Sequence, residues 1–154
     1  MIKPLNLKAF TEDLLIKIPE IKLGKVVADD SKVTKHLKEI ATEDNMMLFS
    51  VLPEYHLQGS TDRTEWLNLM FFMVLEKVSS RDKDEDDLTT IFHNTATVAK
   101  KIVDYILTEK TGDNGDFCGI YNNIQEDSVH IFEIWDYAET CGWGIKMNMI
   151  TPNR

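Results

Sequence analysis

Residues 64–78, TEWLNLMFFMVLEKV, decide how this chain folds. Trp66, Leu67, Leu69, Met70, Phe71, Phe72, Met73, Val74 and Leu75 form a run so continuous that periodicity alone does not separate a strand from a buried helix. The preceding segment decides between them. Residues 46–57 are apolar and aromatic, and the turn-like stretch Gly59 to Arg63 joins them to the run, so a hairpin is the simplest connection and 64–78 is expected to be a strand. Pro53 cannot donate to a ladder, which predicts an edge strand or a bulge at that point. A strand with no polar face is expected to be covered on both sides, by helices or by another subunit.

On the N-terminal side, Leu7, Phe10, Leu14 and Ile18 follow helical spacing after Asn6, a candidate cap, and Pro19 marks the end. A second helix, capped by Asp30 or Ser31, carries Val33, Leu37 and Ile40 on one face. Residues 20–29 between them read as a linker or a short strand. Downstream, Leu88, Ile91, Phe92, Thr95, Val98, Ala99, Ile102 and Ile106 repeat at three and four, which predicts a long helix from Asp87 as N-cap to about Lys110. The acidic run before it suits a helix N-terminus, where the backbone dipole favours negative charge. A turn cluster, TGDNGD at 111–116, precedes three strand candidates: Phe117–Ile124, Val129–Tyr137 and Trp143–Ile150. The whole is expected to be a single α+β domain over 1–154. Its antiparallel sheet, hairpin plus C-terminal meander, packs against one long helix, with two helices at the N-terminus.

The formal charge of −9 argues against nonspecific binding to nucleic acid or to an anionic membrane. It is unevenly spread: residues 1–40 carry eight Lys and six acids, and the remainder carries nine Lys/Arg against twenty acids. The longest apolar run, Leu69–Leu75, is far short of the roughly 20 residues of a membrane helix, and the N-terminus lacks the unbroken apolar stretch of a secretion signal. Cys118 and Cys141 lack the spacing of a zinc or redox motif, and a cytosolic product with free thiols is expected.

Each common chemistry fails on a stated requirement. Asp82, Asp84 and Asp86 alternate as in a calcium loop, but the sixth position is Asp87 where glycine is needed, and the twelfth is His93 where a bidentate Glu should close the site. His36, His56, His93 and His130 are too far apart in sequence to form a helical zinc pair. Ser60 lacks a nucleophile-elbow context. Gly142 and Gly144 lack the third glycine of a dinucleotide loop, and are expected to serve a tight turn or close packing beside Trp143. No catalytic residue, metal or cofactor is expected. Two candidate surfaces remain. Trp66, Phe71, Phe72, Trp143, Met147 and Met149 form a candidate interface, although large apolar side chains normally go inside. Asp82, Asp84, Glu85 and Asp86 form a candidate acidic contact surface.

The hairpin of 46–78, the long helix of 87–110 and the closing Gly142-Trp143-Gly144-Ile145-Lys146-Met147 resemble the order of the tail-terminator and tail-completion proteins of tailed bacteriophages. That resemblance implies a non-enzymatic subunit of the virion neck that assembles with itself into a ring and contacts other virion proteins. It carries no motif, so no functional residue follows from it. From another class, an acidic immunity- or inhibitor-type protein that covers a basic partner is the rival expectation.

Overall fold

The computed structural model describes residues 1–39, 46–60, 63–78, 84–110 and 123–153. Helix α1 spans Pro4–Lys17. Pro4 stands in its first turn, where a missing N–H costs nothing and φ is already helical, so Lys3 rather than Asn6 occupies the cap position. Leu7, Phe10 and Leu14 point to one side and are buried, while Leu5 and Ile16 on the other side are exposed.

Strand β1, Leu23–Val27, resolves the ambiguity of residues 20–29 in favour of a short strand. Helix α2, Asp30–Glu39, is capped one residue earlier than expected, by the Asp29 carboxylate accepting from the Lys32 amide at 3.2 Å. Ile40, expected on its apolar face, lies outside the described residues.

Strands β2, Met46–Ser60, and β3, Arg63–Lys77, form the expected hairpin and settle 64–78 as strand. The pairing slips by one residue between Val51 and Glu54, which places Pro53 in a bulge. Strand β2 is not an edge strand, however: β1 lies beside it in parallel over Met47–Val51 and stops where the bulge begins. Helix α3, Glu85–Lys110, starts two residues before the expected N-cap. Asp84 is the cap, its carboxylate accepting from the Asp87 amide at 3.0 Å. Strands β4, Ile124–Tyr137, and β5, Thr140–Pro152, close the chain as a hairpin. The strand expected over Val129–Tyr137 begins earlier, at Ile124, the one expected over Trp143–Ile150 runs from Thr140 to Pro152, and residues 117–122 of the expected strand Phe117–Ile124 lie outside the described residues.

The fold is α+β. Its five strands lie in the order β1-β2-β3-β5-β4, antiparallel except for β1 on β2. Alternation splits their side chains between two faces. One face, with Leu48, Met70, Phe72, Val74, Ile145, Met147 and Met149, is covered by α1 and α3 through Leu7, Phe10, Leu14, Val98, Ala99, Ile102 and Ile106. Each large side chain buried here contributes about 1.5–3 kcal/mol, so this layer supplies most of the driving force. The opposite face is covered only in part. Helix α2 sets Val33 and Leu37 on Met47, Phe49, Met73 and Leu75, and the rows beyond are open.

Two buried polar groupings join the layers. Thr11 Oγ1 on α1 lies 2.7 Å from Ser50 Oγ on β2 and 2.8 Å from the Leu7 carbonyl. Asn68, wholly buried, accepts from the Ile2 amide and donates to the Trp66 and Met149 carbonyls, which fixes the residues before α1 against the sheet.

Candidate interaction surfaces

The residues singled out from sequence separate by face. Trp66, Phe72, Trp143, Met147 and Met149 all stand on the side of the helix layer. Phe72, Met147 and Met149 are core residues at 1–2% exposure and are unavailable to a partner. Trp143 is half-buried, its indole N–H donating to the Phe92 carbonyl at 2.9 Å. Trp66, also half-buried, closes the far end of that face and donates to the Asn153 side chain at 3.1 Å. Only Phe71 belongs to the opposite face. The physical reason is the period of two: Phe71 and Phe72 are neighbours in sequence and must point apart. Of the acidic set, Asp84, Glu85 and Asp86 are exposed around the first turn of α3, and Asp82 lies outside the described residues.

The open part of the sheet is the first surface. Beyond α2, successive pairs Val51–Phe71 and Glu54–Leu69 on the hairpin continue into Lys146 and Asn148 on β5. A shallow depression of about 340 Å³ lies over these residues. Phe71 stacks on Phe132 at 5.9 Å, His130 stacks on Phe132 at 5.7 Å, and the Lys146 ammonium sits 5.0 Å from the Phe132 ring and 5.6 Å from that of Phe71. These rings shield one another, so the surface is mixed rather than greasy.

The second surface is the β4 side. Strand β4 departs from β5 twice, between Gln125 and His130 and between Ile134 and Tyr137. In the first departure Ser128 replaces the lost ladder bond: its hydroxyl accepts from the Asn148 amide at 2.8 Å and donates to the Gln125 carbonyl at 2.5 Å. The second turns Trp135 outward, 60% exposed, and stacks it on Phe92 of α3 at 5.6 Å with the planes 6° apart. Glu126, Asp127, Glu133, Asp136 and Glu139 are exposed along this side. Bulges and charges on an edge strand oppose strand-to-strand addition, so this edge is poorly suited to pairing with another strand.

In the sequence Trp135 counts among the aromatic and methionine residues that could form a binding face, with core packing as the first expectation, but its exposure on the β4 side and its stacking on Phe92 are not legible there. Even alternation through 129–137 gives no mark of the extra residue that re-aims this side chain, and a tryptophan in a strand reads first as core.

The third surface is the β1 side, at the other end of the sheet. Lys17 closes α1, Lys22 and Lys25 precede and occupy β1, and Lys32 opens α2; all four are exposed. Among the described residues none of Lys17, Lys25 and Lys32 is in an ion pair. The nearby acid Glu20 is engaged, with Lys101 of α3 holding its carboxyl below the usual range. Among the described residues, no group of three or more His, Cys, Asp or Glu side chains is placed to hold a metal ion, and no helix is long and apolar enough to cross a membrane.

Comparison of the chain with protein-family models and with curated proteins finds no match.

Proposed function

We propose that the chain is a non-enzymatic structural subunit that assembles with copies of itself head to tail, the basic β1 side of one copy against the acidic β4 side of the next. The observation that carries this reading is the separation of charge onto opposite ends of one sheet. Residues 124–152 contain five acids and one lysine, and residues 1–40 contain eight lysines and six acids. Two unlike surfaces at opposite ends make a heterologous contact, which closes into a ring or continues as a filament. A closed ring is the form implied by the resemblance to tail-terminator and neck proteins, and other virion proteins would then be its further partners.

The experiment is native mass by light scattering across ionic strength. Screening lengths fall from about 30 Å at 0.01 M salt to about 3 Å at 1 M. An oligomer at low salt that falls to a monomer at high salt is the expected result, and a monomer throughout overturns the reading.

The exposed acidic side also favours a second reading, an immunity- or inhibitor-type protein that covers a basic partner. The β1 side separates the two. Lys25→Glu with Lys32→Glu abolishes self-assembly but leaves capture of a basic partner intact.

A further inference from the structure

Beside Trp135 lies a cavity of about 160 Å³ with Val78, Leu88 and Cys141 as its apolar floor and Trp135, Asp136 and Glu139 around it. Its aromatic wall is firmly built. One face of the Trp135 indole rests on Phe92, and Phe92 meets Trp143 edge-on at 6.0 Å and 84°. With the inner face of Trp135 taken up by Phe92 and the side chain still 60% exposed, the outer face is left toward solvent. Asp136 and Glu139 are both exposed, and among the described residues neither is in an ion pair. The first turn of α3, with Asp84, Glu85 and Asp86, leads directly into Leu88 on the floor and adds to the negative potential.

An apolar floor, an open indole face and two carboxylates suit one type of occupant. A long cationic side chain lays its methylenes on the floor and places its charge between the carboxylates and over the ring. The room is that of a single side chain, not of a folded element. We infer that this pocket anchors the head-to-tail contact by taking a lysine side chain from the β1 side of the next copy. The inference rests on the self-assembly proposed above. Lysine rather than arginine follows from the sequence, because residues 1–40 contain eight lysines and no arginine. Lys17, Lys25 and Lys32 are the donors at hand, exposed and outside any ion pair among the described residues.

Two measurements on the full chain test this. In the first, the Lys25→Glu/Lys32→Glu variant, which keeps the pocket but cannot assemble, is labelled with nitrogen-15 and titrated with Nα-acetyl-lysine methylamide, with the norleucine analogue as control. The chain has three tryptophans, so Trp66 and Trp143 serve as internal references for the Trp135 indole N–H. The expected result is a saturable shift of the Trp135 signal with the lysine amide alone, lost when Asp136→Asn and Glu139→Gln are added. No selective shift overturns the inference.

In the second, Trp135→Ala is introduced into the otherwise native chain and its mass followed against concentration at low salt, with circular dichroism to check folding. Assembly at least tenfold weaker than that of the unaltered chain is expected. A folded Trp135→Ala variant that assembles like the unaltered chain overturns the anchor and leaves head-to-tail assembly standing. An unaltered chain that stays monomeric at low salt overturns both, whatever the lysine amide does.

Discussion

Two single residues show how far the sequence speaks for itself. Gly142 and Gly144, read as residues of close packing, are both tight, but in different ways. A Cβ on Gly142 would lie 2.0 Å from the Val74 carbonyl oxygen, which is backbone of a central strand and cannot yield. On Gly144 it would meet the far end of the Phe132 ring, which is only half-buried and can move. Gly142→Ala is therefore expected to destabilise by about 1–3 kcal/mol, the usual cost of overpacking, and Gly144→Ala by less. Urea denaturation of both variants measures the difference, and equal midpoints would remove the backbone contact as its cause. Asn68 is the opposite case. Nothing in an apolar run marks its one amide as the group that satisfies the Ile2 amide and two strand carbonyls. Asn68→Leu leaves the Ile2 amide buried without its acceptor, and a loss of about 1–3 kcal/mol is expected in the same assay. The candidate interface residues divide between the two faces for a related reason: composition identifies large side chains, but only the register decides that Phe71 faces outward and Phe72 inward.

At the scale of elements, the β2–β3 hairpin, its bulge at Pro53 and the long helix were legible because each follows from a strong local rule. Element ends and the shape of β4 were not. The cap of α3 sits at Asp84 rather than Asp87 because a run of acids offers several equivalent caps, and tertiary docking chooses among them. The first bulge of β4 carries the polar residues Gln125 to Ser128, which read as a break, and this is why the strand was expected to begin only at Val129. The β4–β5 turn is the strained element, with Asp136, Ala138 and Glu139 at φ 49°, 51° and 63°. Non-glycine residues here cost about 1–2 kcal/mol each, and a two-residue hairpin turn of this hand favours Asn-Gly. Ala138→Asn with Glu139→Gly is expected to raise the melting temperature while weakening assembly, since Glu139 is one of the two pocket carboxylates. A melting temperature that does not rise would mean that the turn is not strained. The Glu20–Lys101 pair, which ties the end of α1 to α3, supplies a pH dependence. Because the Glu20 carboxyl titrates below its ordinary range, its contribution is present above that range and is lost as pH falls through it. Glu20→Gln should melt slightly below the unaltered chain at about pH 7 and together with it at about pH 2, where both forms are neutral. Both groups are largely exposed, so the difference is small.

For the whole molecule, the uneven charge along the chain turns out to be a spatial arrangement. The sheet order puts β1, flanked by lysines, at one end and β4, lined with acids, at the other. The sequence alone gave the imbalance between the first forty residues and the rest, but not its direction, because the two C-terminal strands are inserted so that β4 rather than β5 lies outermost. This polarity is the basis for the head-to-tail assembly proposed above, and cancelling it is the most direct test. Glu133→Lys/Asp136→Lys cancels most of the acidity of the β4 side in one variant, and Lys25→Glu/Lys32→Glu cancels the basicity of the β1 side in the other. Light scattering at low salt is expected to find each variant monomeric alone and the equimolar mixture assembled, because each supplies the charge the other lacks. A mixture that stays monomeric while the unaltered chain assembles, or variants that each assemble alone as the unaltered chain does, would contradict the account.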